Sequence, residues 1–310
     1  MQIISGTMEF ECDMNTAAAI GKFDGVHLGH RKLLDRILKT KEDGLAAAVF
    51  TFDPPPGVFF SGRPQAGLMT KEEKRRCFEE MGVDVLIEFP LDAQTAAIPP
   101  EDFVREILCG KMHTRYLAAG TDLSFGDGGK GDWHLLLALS EKLGYQVEII
   151  VKIMYNGREI SSSYVREEIQ KGQMELAAKL LGAPYVVSGR VMHGKRLGRT
   201  LGMPTINLLP EKDKLLPPNG VYLSRLNFGG VSFPGITNIG CRPTVSDSGQ
   251  MSVETYLYDF DSEIYGEYVE VSLYSFRRPE RKFSDVKELK QNMTHDIEEG
   301  RRYWYPEKTD

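Results

Sequence analysis

Over the first half of the chain, short apolar runs alternate with helical periodicities. Ala17-Ala18-Ala19-Ile20 is an apolar run that ends at Gly21. After a loop, Leu33, Leu34, Ile37 and Leu38 recur at three- and four-residue spacing and Gly44 follows, which predicts a helix with one buried face. Leu45–Phe52 reads as a second strand, stopped by Pro54-Pro55-Pro56. Thr70-Lys71-Glu72-Glu73 is a capping box that opens a helix ending at Gly82. Further strands are predicted at Val83–Phe89, Tyr116–Ala119 and Tyr145–Val151, with helices from Pro100 and over Trp133–Leu143. Strand and helix alternate throughout, which predicts a parallel α/β sheet with helices on both faces. Two short helices follow, Ser163–Lys171 and Met174–Leu181. The period then changes. Tyr185–Met192, Val221–Leu226, Gly235–Ile239, Val253–Phe260 and Tyr268–Phe276 are β-rich runs between turn residues, which suggests an antiparallel barrel or sandwich. A last helix, about Ser284–Tyr303, carries Val286, Leu289, Met293 and Ile297 on one face. The change at Gly182-Ala183-Pro184 divides the chain into domains 1–183 and 184–310.

Composition narrows the class. The 310 residues are 41% hydrophobic and 26% charged, with a net charge of −6, as in an ordinary globular protein. The acidic balance argues against a broad nucleic-acid-binding face. Cys12, Cys77, Cys109 and Cys241 lack the paired spacing of a zinc site or a disulfide framework, so reduced thiols in the cytoplasm are expected. Met1–Asn15 has three acids and no base, unlike a signal peptide, and no run is long enough for a membrane span.

The first chemical constellation is Gly21-Lys22-Phe23-Asp24-Gly25-Val26-His27-Leu28-Gly29-His30, between the first strand and the first helix. Glycines allow close approach to a phosphate, and the new helix offers free N–H groups and the positive end of its dipole. Two histidines three residues apart can donate hydrogen bonds to charge building on an α-phosphate. The stretch resembles the H-x-G-H nucleotidyltransferase superfamily, and closely the N-terminal domain of bacterial bifunctional riboflavin kinase/FAD synthetases. Thr51-Phe52-Asp53-Pro54, Gly120–Gly126 with Gly131-Asp132, and Ile160-Ser161-Ser162-Ser163 with Arg166 extend the match. The resemblance implies catalytic roles for His27 and His30. It implies ATP contacts at Gly21, Phe23, Asp24, Gly29, Ser161, Ser162, Ser163 and Arg166, and flavin contacts at Asp122 and Phe125. It departs from the family pattern at Pro55, Gly129 and Tyr164, where a His and two Arg are usual.

The second constellation runs from Gly189 to Asn207, with glycines and cations in one loop between strands. Such a loop can hold ATP phosphates, although it is not a Walker A loop. The pattern G-x-V-x-H-G-x-x-x-G-R-x-L-G-x-P-T-x-N resembles the riboflavin kinase family, and Asn238–Thr244, Val253-Glu254, Tyr265-Gly266 and Arg281-Lys282-Phe283 continue it. The resemblance implies a barrel with a closing helix. It places Gly194, Lys195, Gly198, Arg199 and Gly202 at the phosphates, and Thr205 and Asn207 at the phosphates and Mg²⁺. It makes Glu254 the base for the ribityl hydroxyl, with Arg278 and Arg281 near the flavin. Glu254 should point with Tyr256, away from Val253 and Leu257.

The expected protein is therefore a two-domain, Mg²⁺-dependent enzyme with riboflavin, FMN and ATP as ligands, no nucleic-acid or membrane partner, and a monomeric or weakly homo-oligomeric state. The alternative is a kinase whose N-terminal domain binds nucleotide or flavin without making FAD.

Overall fold

Six strands, β1 (Gln2–Ser5), β2 (Thr16–Ile20), β3 (Ala46–Asp53), β4 (Val85–Pro90), β5 (Thr114–Gly120) and β6 (Gln146–Ile150), build the first sheet. Its order is β1-β4-β3-β2-β5-β6, and every neighbouring pair is parallel. All five residues of β2 are buried, and successive side chains leave on opposite faces. Ala17 and Ala19 join Leu33, Leu34, Ile37 and Phe78 on one face, whereas Ala18 and Ile20 join Phe50, Phe103, Leu117 and Leu136 on the other. A strand covered on both faces has to be apolar throughout. Helices α1 (Leu28–Lys39) and α2 (Pro56–Ser61) follow β2 and β3; α2 buries no residue, and the cover comes from α1, α3 (Lys71–Glu80), α5 (Trp133–Leu143) and the π-helical stretch Phe103–Lys111 that continues α4 (Pro100–Asp102). The capping box forms as predicted: the Thr70 hydroxyl accepts from the Glu73 N–H and the Glu73 carboxylate from the Thr70 N–H. From β2 the chain builds toward β3 and β4 on one side and returns through β5 and β6 on the other. Between β2 and β5 lies the topological switch point, where open α/β sheets leave a crevice beyond their carboxyl ends.

The structure is a computed structural model and describes residues 1–193, 202–242 and 250–306. The chain divides into two compact units, Met1–Ser162 and Ser163–Asp310. The packing division thus falls some twenty residues before the compositional one, because α6 (Ser162–Gln170) and α7 (Met174–Leu181) count with the second unit. Four strands had no clear sequence signal. β1 is a short edge strand with exposed residues. β7 (Met154–Tyr155) and β8 (Arg158–Glu159) form a minimal hairpin turned by Asn156 and Gly157, both at positive φ.

The second unit is a closed antiparallel barrel in the ring order β10-β13-β12-β11-β14-β9. Its strands are β9 (Tyr185–Met192), β10 (Thr205–Leu208), β11 (Gly220–Phe228), β12 (Val231–Arg242), β13 (Gln250–Leu257) and β14 (Tyr268–Pro279). The fourth unforeseen strand is β10. It is four residues long and follows a proline, yet it pairs with both β13 and β9 and closes the ring. Val187, Leu226, Ile239, Val253, Val271 and Leu273 are fully enclosed. Among them the buried Thr237 hydroxyl bonds to Ser224 at 2.7 Å and to Thr255 at 2.8 Å, so these polar groups satisfy each other. α8 (Val286–Trp304) lies on the outer wall, where Ile297 and Trp304 cover Val221, Leu223, Ile236 and Tyr258. The Tyr258 hydroxyl donates to the Ile297 carbonyl at 2.6 Å, and the Trp304 indole to the Gly235 carbonyl at 3.2 Å.

Candidate active sites

Beyond β2 the backbone takes positive φ at Phe23 (48°), Gly25 (86°) and Val26 (40°). For Phe and a β-branched Val this conformation is strained, by about 1–3 kcal/mol each. Tertiary contacts hold it. The Asp24 carboxylate accepts from the Leu68 N–H at 2.7 Å, and the Asp24 carbonyl accepts from the Ser162 hydroxyl at 2.7 Å. The Lys22 carbonyl accepts from the Thr51 hydroxyl and the Lys74 ammonium, each at 3.3 Å. The Phe23 ring is fully buried against Phe78 and lies 5.0 Å from the His30 ring. Phe23 therefore serves as a floor for His30, and only its backbone is left for a nucleotide.

The histidines stack, with ring centroids 3.8 Å apart and planes 17° apart. His27 caps α1, its Nδ1 accepting a long hydrogen bond from the His30 N–H at 3.4 Å. That bond sets the neutral tautomer, with the proton on Nε2 and available as a donor. Burial pulls the His27 imidazole down to about 4, although Asp122 and Asp24 pull the other way. Burial, His27 and Lys74 hold His30 well below its usual value, so both rings are neutral at pH 7. The His30 Nδ1 is buried without a hydrogen-bond partner. A Cβ on Gly29 would come within 3.1 Å of the His27 ring, one on Gly21 within 3.2 Å of the Phe23 ring, and one on Gly120 within 2.9 Å of the Asp122 carboxylate. These three motif glycines thus make room for the side chains around them.

β5 ends in the facing loop. Asp122 lies 3.5 Å from Lys152 and attracts the proton of His27, which places it beside the histidine pair. Phe125 is 3% exposed and packs 5.4 Å from Phe103, so its ring is part of the core and not an open platform. Gly129 has φ 67°, and a Cβ there would lie 2.5 Å from the Ser124 hydroxyl, which donates to the Gly129 carbonyl. A side chain at 129 would be strained at this φ and would displace the Ser124 hydroxyl. Asp132 caps α5 through the His134 and Leu135 N–H groups. Ser161 and Ser162 fall in the first unit; Ser162 meets the Asp24 carbonyl as above. Ser163 is exposed, and Arg166 and the buried Tyr164 follow on α6 in the second unit.

In the barrel, strand register assembles the second site. Asn207 on β10 stands opposite Glu254 on β13, and Glu254 stands opposite Asn238 on β12. Directly paired residues share a face at about 5 Å between Cβ atoms. Thr205, two residues before Asn207, shares that face and pairs with Tyr256. Val253, Thr255 and Leu257 point into the barrel and are buried, while Glu254 and Tyr256 sit half-buried on the outer wall. The Asn207 amide nitrogen donates to the Thr205 carbonyl at 3.4 Å. At the end of β9, His193 stacks on Tyr265 with centroids 3.9 Å apart, and Arg190 donates to the Gly266 carbonyl. Gly202 has φ 78° with open space around it. Gly194, Lys195, Gly198 and Arg199 lie outside the described residues.

Arg278 and Arg281 have structural partners. Arg278 forks onto the buried Asp296 of α8, at 2.8 Å to one carboxylate oxygen and 2.5 Å to the other, and this pairing raises its pKa. Arg281 bonds to Asn292 and lies 3.6 Å from Glu288, also on α8. Arg278 therefore fastens the helix to the end of β14, and Arg281 fastens it to the loop that follows. Two residues at the sites were missed by the sequence reading of roles. Lys74 reaches the first loop from α3, fifty residues on, and Asn238 completes the Asn207–Glu254 rung. Only the fold brings them there.

Residues 9–164 match the FAD synthetase family and residues 181–304 the riboflavin kinase family. Proteins named bifunctional riboflavin kinase/FMN adenylyltransferase are similar over nearly the whole length. That of Listeria monocytogenes is 36% identical over 94% of this chain and 93% of its own. Those of Bacillus subtilis and Escherichia coli K12 are 36% and 35% identical, over 92% of this chain and 92% and 91% of theirs. A crystal structure described as a macrolide-efflux protein from Streptococcus pneumoniae aligns with TM-score 0.84 and 28% identity, over 97% of this chain and 98% of that one. Among the described residues no helix is long and apolar enough to cross a membrane. With both family matches on one chain, and relatives alike from end to end, this chain belongs to the bifunctional riboflavin kinase/FMN adenylyltransferase family.

Proposed function

We propose that the barrel phosphorylates riboflavin to FMN with ATP, and that the α/β unit then adenylylates FMN to FAD and releases pyrophosphate. The observation that carries the kinase half is the rung Asn207–Glu254–Asn238 with Thr205 beside it. Glu254 accepts the proton of the ribityl 5′-hydroxyl as that oxygen attacks the γ-phosphorus, and ADP leaves. Thr205 and Asn207 offer a hydroxyl and an amide oxygen on one face, a donor set that suits a hard cation keeping several waters. They would hold Mg²⁺ with the ATP phosphates, and Mg²⁺ would supply charge neutralisation there.

In the first unit an FMN phosphate oxygen attacks the α-phosphorus of ATP, so no protein nucleophile is required. The neutral His27 Nε2–H and the His30 ring stabilise the charge that develops on the α-phosphate. Gly21, Gly29, the Phe23 and Asp24 backbone, Ser161 and Ser162 serve the triphosphate, and Asp122 borders the flavin side. The stacked histidine pair and the family match over residues 9–164 favour this reading over a degenerate domain that only binds. We keep 1–183 and 184–310 as the functional domains, since the two family matches leave 165–180 to neither. We take the protein to be cytoplasmic, a setting in which its four free cysteines stay reduced, and a monomer or weak homo-oligomer.

The test is to incubate the protein with riboflavin, excess ATP and Mg²⁺ and to resolve riboflavin, FMN and FAD by chromatography. FMN without FAD would sink the bifunctional reading, and unchanged riboflavin would sink the kinase.

A further inference from the structure

Lys74, on α3, reaches under the Gly21–His30 loop with a charge that no carboxylate pairs with among the described residues. Its Nζ makes one long hydrogen bond, 3.3 Å to the Lys22 carbonyl. An ammonium has three donors, so two are left over. Asp24, Glu88 and Asp53 attract it, but none forms an ion pair with it. Their carboxylates are engaged elsewhere. Both Glu88 oxygens bond to Arg75, at 2.9 and 2.6 Å, and one also pairs with Lys71 at 3.2 Å. Asp53 pairs with Lys71 at 2.6 Å, and Asp24 is bonded to the Leu68 N–H. The surrounding protein pushes the Lys74 pKa down, as expected for a half-buried cation without a counter-ion. Beside it the His30 Nδ1 is buried and also unpartnered. A cation without an ion-pair partner and an unsatisfied imidazole nitrogen thus lie near the amino terminus of the twelve-residue α1, where the dipole also favours an anion.

We propose that Lys74 binds phosphate in the adenylyl-transfer site, its ammonium contacting a phosphoryl oxygen of a substrate seated on the Gly21–His30 loop. The proposal rests on the first unit being an adenylyltransferase. The anion is either the ATP triphosphate or the FMN phosphate, since both carry the same oxygens. As a flexible point charge, Lys can follow that group from below the loop, where a planar guanidinium would have to fit.

The experiment is steady-state FAD synthesis from supplied FMN by the full-length protein and its Lys74→Met and Lys74→Arg variants, with ATP and FMN varied in turn. A lost charge-assisted contact raises KM about 10–100-fold. A rise in KM for ATP, with a matching rise in the inhibition constant of pyrophosphate, assigns the triphosphate; a rise in KM for FMN assigns the flavin phosphate. Lys74→Arg should recover part of either effect. The kinase rate on riboflavin and the thermal unfolding of each variant control for folding. If both KM values stay unchanged in a folded Lys74→Met protein, the contact is refuted. A wild-type protein that makes no FAD overturns the adenylyltransferase reading instead. Calorimetric titration with pyrophosphate then decides the contact: weaker binding to Lys74→Met sustains it and equal binding removes it.

Discussion

Replacing Gly29 by Ala should separate stability from activity in the first unit. Gly29 is the second residue of α1 and has an ordinary negative φ, so Ala is conformationally free there. In a helix interior the change is worth up to about 1 kcal/mol in favour of Ala. The added methyl, however, would stand 3.1 Å from the His27 Cε1 and 3.2 Å from its Nδ1. The ring must give way by a few tenths of an ångström, and it cannot slide freely because it stacks on His30 at 3.8 Å. Since a misplacement of about 1 Å costs on the order of 10²-fold, a shift of this size should cost about tenfold in adenylyl transfer. Complete removal of the donor in His27→Ala should cost about 10²–10³-fold. The assay is FAD formation from supplied FMN and ATP, read beside FMN formation from riboflavin and thermal unfolding. Slower FAD synthesis, unchanged kinase rate and an unfolding temperature no lower than wild type are expected. Unchanged FAD synthesis in Gly29→Ala would show that the His27 ring position is not what catalysis depends on.

Three further outcomes follow from the same geometry. His27 has a folded pKa of about 4, below the ordinary value of about 6.5, so its contribution to stability is full above that value and is lost as pH falls from it toward the folded pKa. Between pH 7.5 and pH 5 His27 should account for about 2 kcal/mol of the stability the first unit loses in urea unfolding, beside the loss from His30, and His27→Gln should reduce that dependence. Glu254→Gln should slow FMN production about 10²–10⁴-fold while FAD synthesis from supplied FMN continues; a full rate of FMN production would remove Glu254 as the base. Gly300→Ala should loosen α8, because a Cβ there would lie 2.3 Å from Ile236 and 2.4 Å from the Tyr258 hydroxyl; overpacking of this kind costs about 1–3 kcal/mol, seen as a lower unfolding temperature of the barrel.

Much of the fold was legible because local patterns and packing agree. β2 through β6 and the covering helices were readable from periodicity and stop residues, since each strand covered on both faces is an apolar run. β1 escaped because an edge strand with exposed side chains carries no such pattern. β10 escaped because four residues after Pro204 look like part of a functional loop; their strand character comes from pairing on both sides. The chemistry-bearing residues were legible for a related reason. Gly21, Gly29, His27 and His30 lie within ten residues of one another, and Gly120 lies two residues from the Asp122 it makes room for, so these contacts leave short motifs.

The sequence by itself determined the two-part architecture, the loop after β2, and the alternation that turns Glu254 outward with Tyr256. Tertiary structure decided which distant groups meet. It set Asn238 opposite Glu254, brought Lys74 to the Lys22 carbonyl of the Gly21–His30 loop, made Phe125 a core ring, and tied Arg278 and Arg281 to α8. The physical reason is range. Propensity, capping and periodicity act over a few residues and are written locally. A buried charge or a rung across a barrel, in contrast, depends on strand order and register, which emerge only when the whole sheet closes.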